Sequence, residues 1–143
     1  MASILLDTNI IVYWAHESSP MHGNVSQLIR KAAACDYDMY VLASSLSDAY
    51  YVLHSNYMKE PAARRSIENA ANSFTLIDLT LDMVYAALHS DEPDYEDGLI
   101  RAAAEALQVD AIISYDSRAF RKSIIPRYDA DEACRKLFDD DGD

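Results

Sequence analysis

Asp7 closes the apolar run Ile4-Leu5-Leu6 and is followed by Thr8-Asn9, after which apolar residues resume at Ile10-Ile11-Val12. An ionised carboxylate at the end of such a run is costly to bury without a partner. Either Asp7 caps the next helix through the backbone amides of Asn9 or Ile10, or it takes part in chemistry. The same choice arises for Asp48, for Asp97 and for Asp116, which follows Ser114-Tyr115. Carboxylates gathered within about 10 Å repel one another strongly unless a cation lies among them. Carboxylate oxygens that retain several waters suit Mg²⁺ or Mn²⁺. No His or Cys stands at a comparable position, which disfavours zinc. His16, His22, His54 and His89 read as loop or helix-surface residues. Asp94 directly precedes a helical pattern and reads first as its cap, with a supporting role in the site as the alternative.

Whether the acids meet depends on the elements that carry them. Residues 3–7 read as a strand, with a short helix from Asn9 to Ala15. Ser18-Ser19-Pro20 opens a helix to Ala34, with Pro20 at its first position. Residues 38–42 read as the second strand, and Ser44 or Ser45 caps a helix over 46–58. Pro61 starts a helix to Asn72, and residues 74–77 form the third strand. Thr80 caps a helix through Leu88. Asp94 caps an alanine-rich helix from Tyr95 to Gln108. Residues 110–114 form the fourth strand, 116–122 a helical turn or two, and Ile124-Ile125 a minimal fifth strand. Asp129 or Asp131 opens a last helix to Leu137. Strands alternating with helices predict one α/β domain, a parallel sheet covered on both faces. Helices that leave such a sheet start at its carboxyl edge. Asp7, Asp48, Asp97 and Asp116 are therefore expected at one edge, where open α/β sheets bind ligands.

The remaining composition narrows the classes. A chain of 143 residues supports one core. A net charge of −12 argues against a protein that coats nucleic acid through a basic surface, though an enzyme touching a few phosphates stays possible. Arg118, Arg121 and Lys122, just past Asp116, read either as phosphate contacts or as a solvated face. Tyr50 and Tyr51 read first as core or dimer packing residues, with stacking on bases as the alternative. Three glycines and no Gly-rich loop argue against a dinucleotide or P-loop site. Two cysteines without CxxC spacing read as thiols in a reducing compartment. No apolar run is long enough to span a membrane, and the start shows no signal peptide; a cytoplasmic protein is expected.

Leu6-Asp7-Thr8-Asn9, Ser45-Leu46-Ser47-Asp48-Ala49-Tyr50-Tyr51, Asp94-Tyr95-Glu96-Asp97-Gly98-Leu99, and Ser114-Tyr115-Asp116 with Phe120 resemble, in order and spacing, the PIN-domain family. The resemblance implies a PIN-like three-layer α/β/α fold with a central parallel sheet of four to five strands. It covers residues 1–138 and leaves 139–143 as an acidic tail. It also implies a Mg²⁺- or Mn²⁺-dependent ribonuclease similar to the VapC toxins of toxin–antitoxin pairs. Such a protein would act as a homodimer on RNA and be restrained by an antitoxin with a basic segment. Asp7, Asp97 and Asp116 would then be the core metal ligands and Asp48 the fourth acid. Thr8 and Ser114 would supply hydroxyls that hold waters or carboxylates, with Asn9 and Asp94 in support. The second acid is more often Glu in the family and the residue before the fourth is often Arg or Asn; here they are Asp48 and Tyr115. The alternatives are a PIN-like acidic module that binds a basic partner without catalysis, and an RNA-processing nuclease that is not a toxin. A phospho-receiver domain would need two adjacent acids after the first strand and a lysine after the last, and this chain has neither.

Overall fold

The computed structural model describes residues 2–138; the expected acidic tail at 139–143 lies outside them. Strand β1 (Ser3–Leu6) is buried along its whole length, as a central strand covered on both faces must be. It pairs in parallel with β2 (Asp38–Leu42) on one side and with β4 (Ala111–Ile113) on the other. The outer strands are β3 (Thr75–Ile77), beside β2, and β5 (Arg127–Tyr128), beside β4. The order is therefore β3-β2-β1-β4-β5, all parallel. The chain builds outward from β1 to β3 and then returns to the far side of β1 to add β4 and β5. That reversal opens a crevice beyond the carboxyl ends of β1 and β4.

The period-two alternation of a strand divides the core in two. Ile4, Leu6, Val41, Ala111 and Ile113 face helices α1 (Thr8–Ala15), α2 (His22–Ala34), α3 (Ala43–Asn56), α4 (Glu60–Ser73) and α7 (Ala130–Ala133). Leu5, Leu42 and Ile112 face α5 (Leu81–Leu88) and α6 (Tyr95–Leu107). This is the expected three-layer arrangement.

Several expected boundaries move, each for a local reason. Pro20 lies in the turn before α2, where the Ser19 hydroxyl accepts a hydrogen bond from the Met21 amide. Helix α3 begins at Ala43, straight off β2, with no side-chain cap; Ser45 is turned inward and buried. Residues 116–122 form turns rather than a helix. Asp116 Oδ1 accepts from the Arg118 amide at 3.0 Å, and Phe120 adopts a left-handed backbone with φ of 68°. Ile124-Ile125 is not a strand. Ile124 is 84% exposed, Ile125 plugs the core, and the ladder resumes through the Pro126 carbonyl and β5. Asp129 caps α7 in a reciprocal capping box with Glu132, and the chain continues as a π-helical turn from Cys134 to Phe138.

Gly98, next to Asp97, lets α5 and α6 approach closely. A Cβ there would stand 3.0 Å from Ala87 Cα and 3.1 Å from its carbonyl oxygen. Gly98→Val is therefore expected to destabilise the fold by about 1–3 kcal/mol, measured by urea unfolding, although valine has the better intrinsic helix propensity.

Candidate active site

Asp7 is both cap and candidate ligand. Its Oδ1 accepts the Thr8 amide at 2.8 Å, rather than those of Asn9 or Ile10, and its Oδ2 accepts the Ser114 hydroxyl at 2.7 Å. Burial pushes its pKa up. The Ser114 and Thr8 hydrogen bonds oppose that shift, while Asp116 and Asp94 add to it. Ser114 is the hub of the site. Its fully buried hydroxyl donates to Asp7, accepts the Asp116 amide at 3.0 Å and meets Asn9 Nδ2 at 3.4 Å. Asn9 in turn accepts the Tyr115 amide through Oδ1 at 3.3 Å. One hydroxyl thus ties the acid at the end of β1 to the acid after β4. Thr8 lines the same cleft.

The acids of α6 arrive from the opposite face of the sheet. Asp94 caps the helix, its Oδ1 accepting the Asp97 amide at 2.8 Å. Asp97 is only 7% exposed, and its Oδ2 has no hydrogen-bond partner. Burial first, then Asp94, Asp7, Asp116 and Glu92, push its pKa up to about 7. Asp7, Thr8, Asn9, Glu96, Asp97 and Asp116 line one cleft of about 270 Å³. Val12 and Tyr13 of α1, Val52 of α3 and Tyr57 form its less polar end. Tyr57 also stacks on His16, ring centres 4.0 Å apart.

Asp48 does not line this cleft. It hydrogen-bonds Glu96, whose pKa is pushed up to about 7 chiefly by that contact and then by burial. Glu96 stands at no strand end. The signal was present, three acids within Asp94-Tyr95-Glu96-Asp97, but its reach to α3 is a tertiary property. The basic residues gather elsewhere. Arg118, Arg121 and Lys122 line a separate hollow with Asp91, Glu92 and Pro93. Lys122 pairs with Asp91 at 3.1 Å, and Arg118 lies 3.9 Å from Asp116.

Two further residues absent from the sequence reading brace the loop after Asp116. The Glu92 side chain, 3% exposed, accepts the Phe120 amide at 2.7 Å and pairs with Arg101 at 3.2 Å. Arg101 also holds Asp91, Glu105 and the Lys122 carbonyl. The start of α6 and the loop carrying Asp116 are thereby locked together, and the left-handed Phe120 is held from both sides.

The residues fit a hard divalent cation. The donors are carboxylate oxygens, and one buried oxygen, Asp97 Oδ2, lacks any partner. Among the described residues, no three acid, His or Cys groups are drawn together closely enough to chelate an ion as they stand.

Residues 3–118 match the PIN domain family. No curated protein matches the sequence significantly. Solved structures of similar fold include VapC20 from Mycobacterium tuberculosis, described as a sarcin–ricin loop cleaving toxin. It has a TM-score of 0.66 and 15% identity, covering 80% of this chain and 90% of that one. VapBC2 from Rickettsia felis, bound to a DNA fragment from their promoter, has a TM-score of 0.63 and 15% identity over 89% and 99%. A toxin–antitoxin complex from Klebsiella pneumoniae has a TM-score of 0.62 and 18% identity over 89% and 97%. At these identities the likeness is one of fold. Taken with the match along most of the sequence, it leaves one assignment: the chain belongs to the PIN-domain family.

Proposed function

We propose that the protein is an endoribonuclease dependent on Mg²⁺ or Mn²⁺ that hydrolyses RNA phosphodiester bonds. The observation that carries this reading is the partnerless Asp97 oxygen, buried in a cleft shared with Asp7, Glu96 and Asp116. Asp7, Asp97 and Asp116, with the fourth acid from the α3–α6 pair, would hold the cation. Bound there, it supplies charge neutralisation for the phosphate and a water of lowered pKa. The chain's own residues do the rest. Ser114 fixes the relative position of Asp7 and Asp116, Asn9 steadies the Tyr115 amide between them, and Glu92 with Arg101 holds the loop. The Val52–Tyr57 end of the cleft offers an aromatic face on which an unpaired base can stack. Arg118, exposed and 3.9 Å from Asp116, would meet a flanking phosphate, with Arg121 and Lys122 further along the same loop.

The similar folds determined as toxin–antitoxin assemblies support the toxin role. In that role the antitoxin's basic segment would meet the acidic cleft, and the active form would be a homodimer in the cytoplasm. No helix among the described residues is long and apolar enough to cross a membrane. The net charge of −12 favours the competing reading, an acidic module that binds a basic protein without catalysis. Incubation of the purified protein with mixed RNA separates the two. Cleavage should appear with Mg²⁺ or Mn²⁺ and disappear with EDTA. Intact RNA under both conditions would leave the binding module standing.

A further inference from the structure

Two acids, Asp48 on α3 and Glu96 on α6, compete for one role. Asp48 stands at the position matched to the family's second acid, but Glu96 is the member of the pair that lines the cleft. Asp48 faces Glu96 closely enough across the two helices to be the main cause of the raised Glu96 pKa. Asp48 is half-buried behind this contact, and its side chain is one methylene shorter than that of Glu. On α6, successive residues point about 100° apart. Asp97 therefore turns into the crevice and is buried, while Glu96 stays exposed and reaches toward α3. The independent sign of a ligand is Asp97 Oδ2, one residue further along the same helix: an oxygen of a residue only 7% exposed that no hydrogen bond within the described chain satisfies.

We infer that Glu96, not Asp48, completes the carboxylate set that faces a divalent cation, and that Asp48 positions Glu96 from the neighbouring helix. The shortened side chain on α3 and the longer one on α6 compensate each other, so the fourth oxygen donor reaches the cleft from a different element. This inference rests on the metal-dependent reading given above.

The test compares Glu96→Gln and Asp48→Asn in the full chain by Mn²⁺ titration followed by electron paramagnetic resonance, with thermal unfolding measured on the metal-free proteins. Glu96→Gln should weaken Mn²⁺ binding by about tenfold or more, without lowering the metal-free Tm, because it removes one of two facing acids. Asp48→Asn should cause a smaller loss, since its neutral side chain can still hydrogen-bond Glu96. A loss in Asp48→Asn equal to or larger than that in Glu96→Gln overturns the inference, as does a Glu96→Gln protein that binds like wild type. If wild type itself takes up no Mn²⁺, the metal-dependent reading falls with it. If wild type binds Mn²⁺ and the ranking is reversed, only the assignment of Glu96 falls.

Discussion

Asp7→Asn is expected to lower kcat for RNA cleavage on the order of 10³-fold, about 4 kcal/mol of barrier, while the protein stays folded. Asn keeps the shape of Asp, and its carbonyl can still accept the Thr8 amide that Asp7 Oδ1 accepts at 2.8 Å. Its amide would face Ser114, whose hydroxyl already accepts the Asp116 amide, so the variant loses the hydrogen bond that Ser114 donates to Asp7. What is lost is the negative charge, which a cation needs and an apoprotein does not. Asp7 is held at a raised pKa chiefly by burial. Removing a charge that burial already disfavours offsets part of the about 1–3 kcal/mol that the unmade Ser114 hydrogen bond costs, so the metal-free protein should stay folded with a modest change in Tm. Asp116→Asn should behave alike, because Asn retains the acceptor for the Arg118 amide. The measurement is initial cleavage rate at saturating Mg²⁺, with urea unfolding as the control. Cleavage by either variant near the wild-type rate would remove these carboxylates from the reaction. Lost cleavage together with a collapsed unfolding midpoint would make them structural.

What the chain revealed in advance, and what it hid, follows from the range of the forces involved. Strand β1 is legible because it is buried on both faces, which demands an unbroken apolar run, and Asp7 is conspicuous because it ends that run. Ser114-Tyr115-Asp116 repeats the signal at β4. The β5 register was not legible. Ile124-Ile125 looks like a strand by hydrophobicity, yet one isoleucine is exposed and the other fills the α5–α6 core. The actual ladder uses the polar pair Arg127–Tyr128. The turn at 116–122 has the sequence of a helix start, but a side-chain-to-backbone contact, Asp116 to Arg118, competes there with helical hydrogen bonding. Glu92, Arg101 and Glu96 escaped for a shared reason. Each acts across a gap between elements, and no local period marks a side chain that reaches sideways. Charge on a helix start usually means a favoured dipole contact, and only packing reveals which of the three acids at the start of α6 faces α3, which caps, and which is buried.

Stability should fall as pH rises through the interval from about 4 to about 7 when no cation is present, and Mg²⁺ should reverse that fall at the alkaline end. Asp97 is pushed up to about 7 mainly by burial, and Glu96 to about 7 mainly by its hydrogen bond to Asp48. In the unfolded chain both ionise near 4. Between those limits the folded protein binds more protons than the unfolded one, so the free energy of unfolding decreases with rising pH. The stabilisation is complete below about 4 and gone above about 7, the opposite of the usual salt-bridged carboxylate. A cation takes the place of those protons. Its binding needs the carboxylates ionised, so it should release protons near neutrality and tighten as pH rises. At a concentration about 100 times Kd, binding stabilises by about 2.7 kcal/mol, which for a chain of this length raises Tm by roughly 5–10 °C. Thermal unfolding at pH 5 and pH 8, each with and without Mg²⁺, tests both halves. The metal-free protein should melt higher at pH 5. Mg²⁺ should raise Tm strongly at pH 8 and little at pH 5, and Asp97→Asn should flatten both trends because it carries neither the proton nor the charge. A metal-free Tm that climbs from pH 5 to pH 8 would mean that these acids are paired with cationic groups rather than crowded together, and a crowded set is what gives an ion a reason to bind.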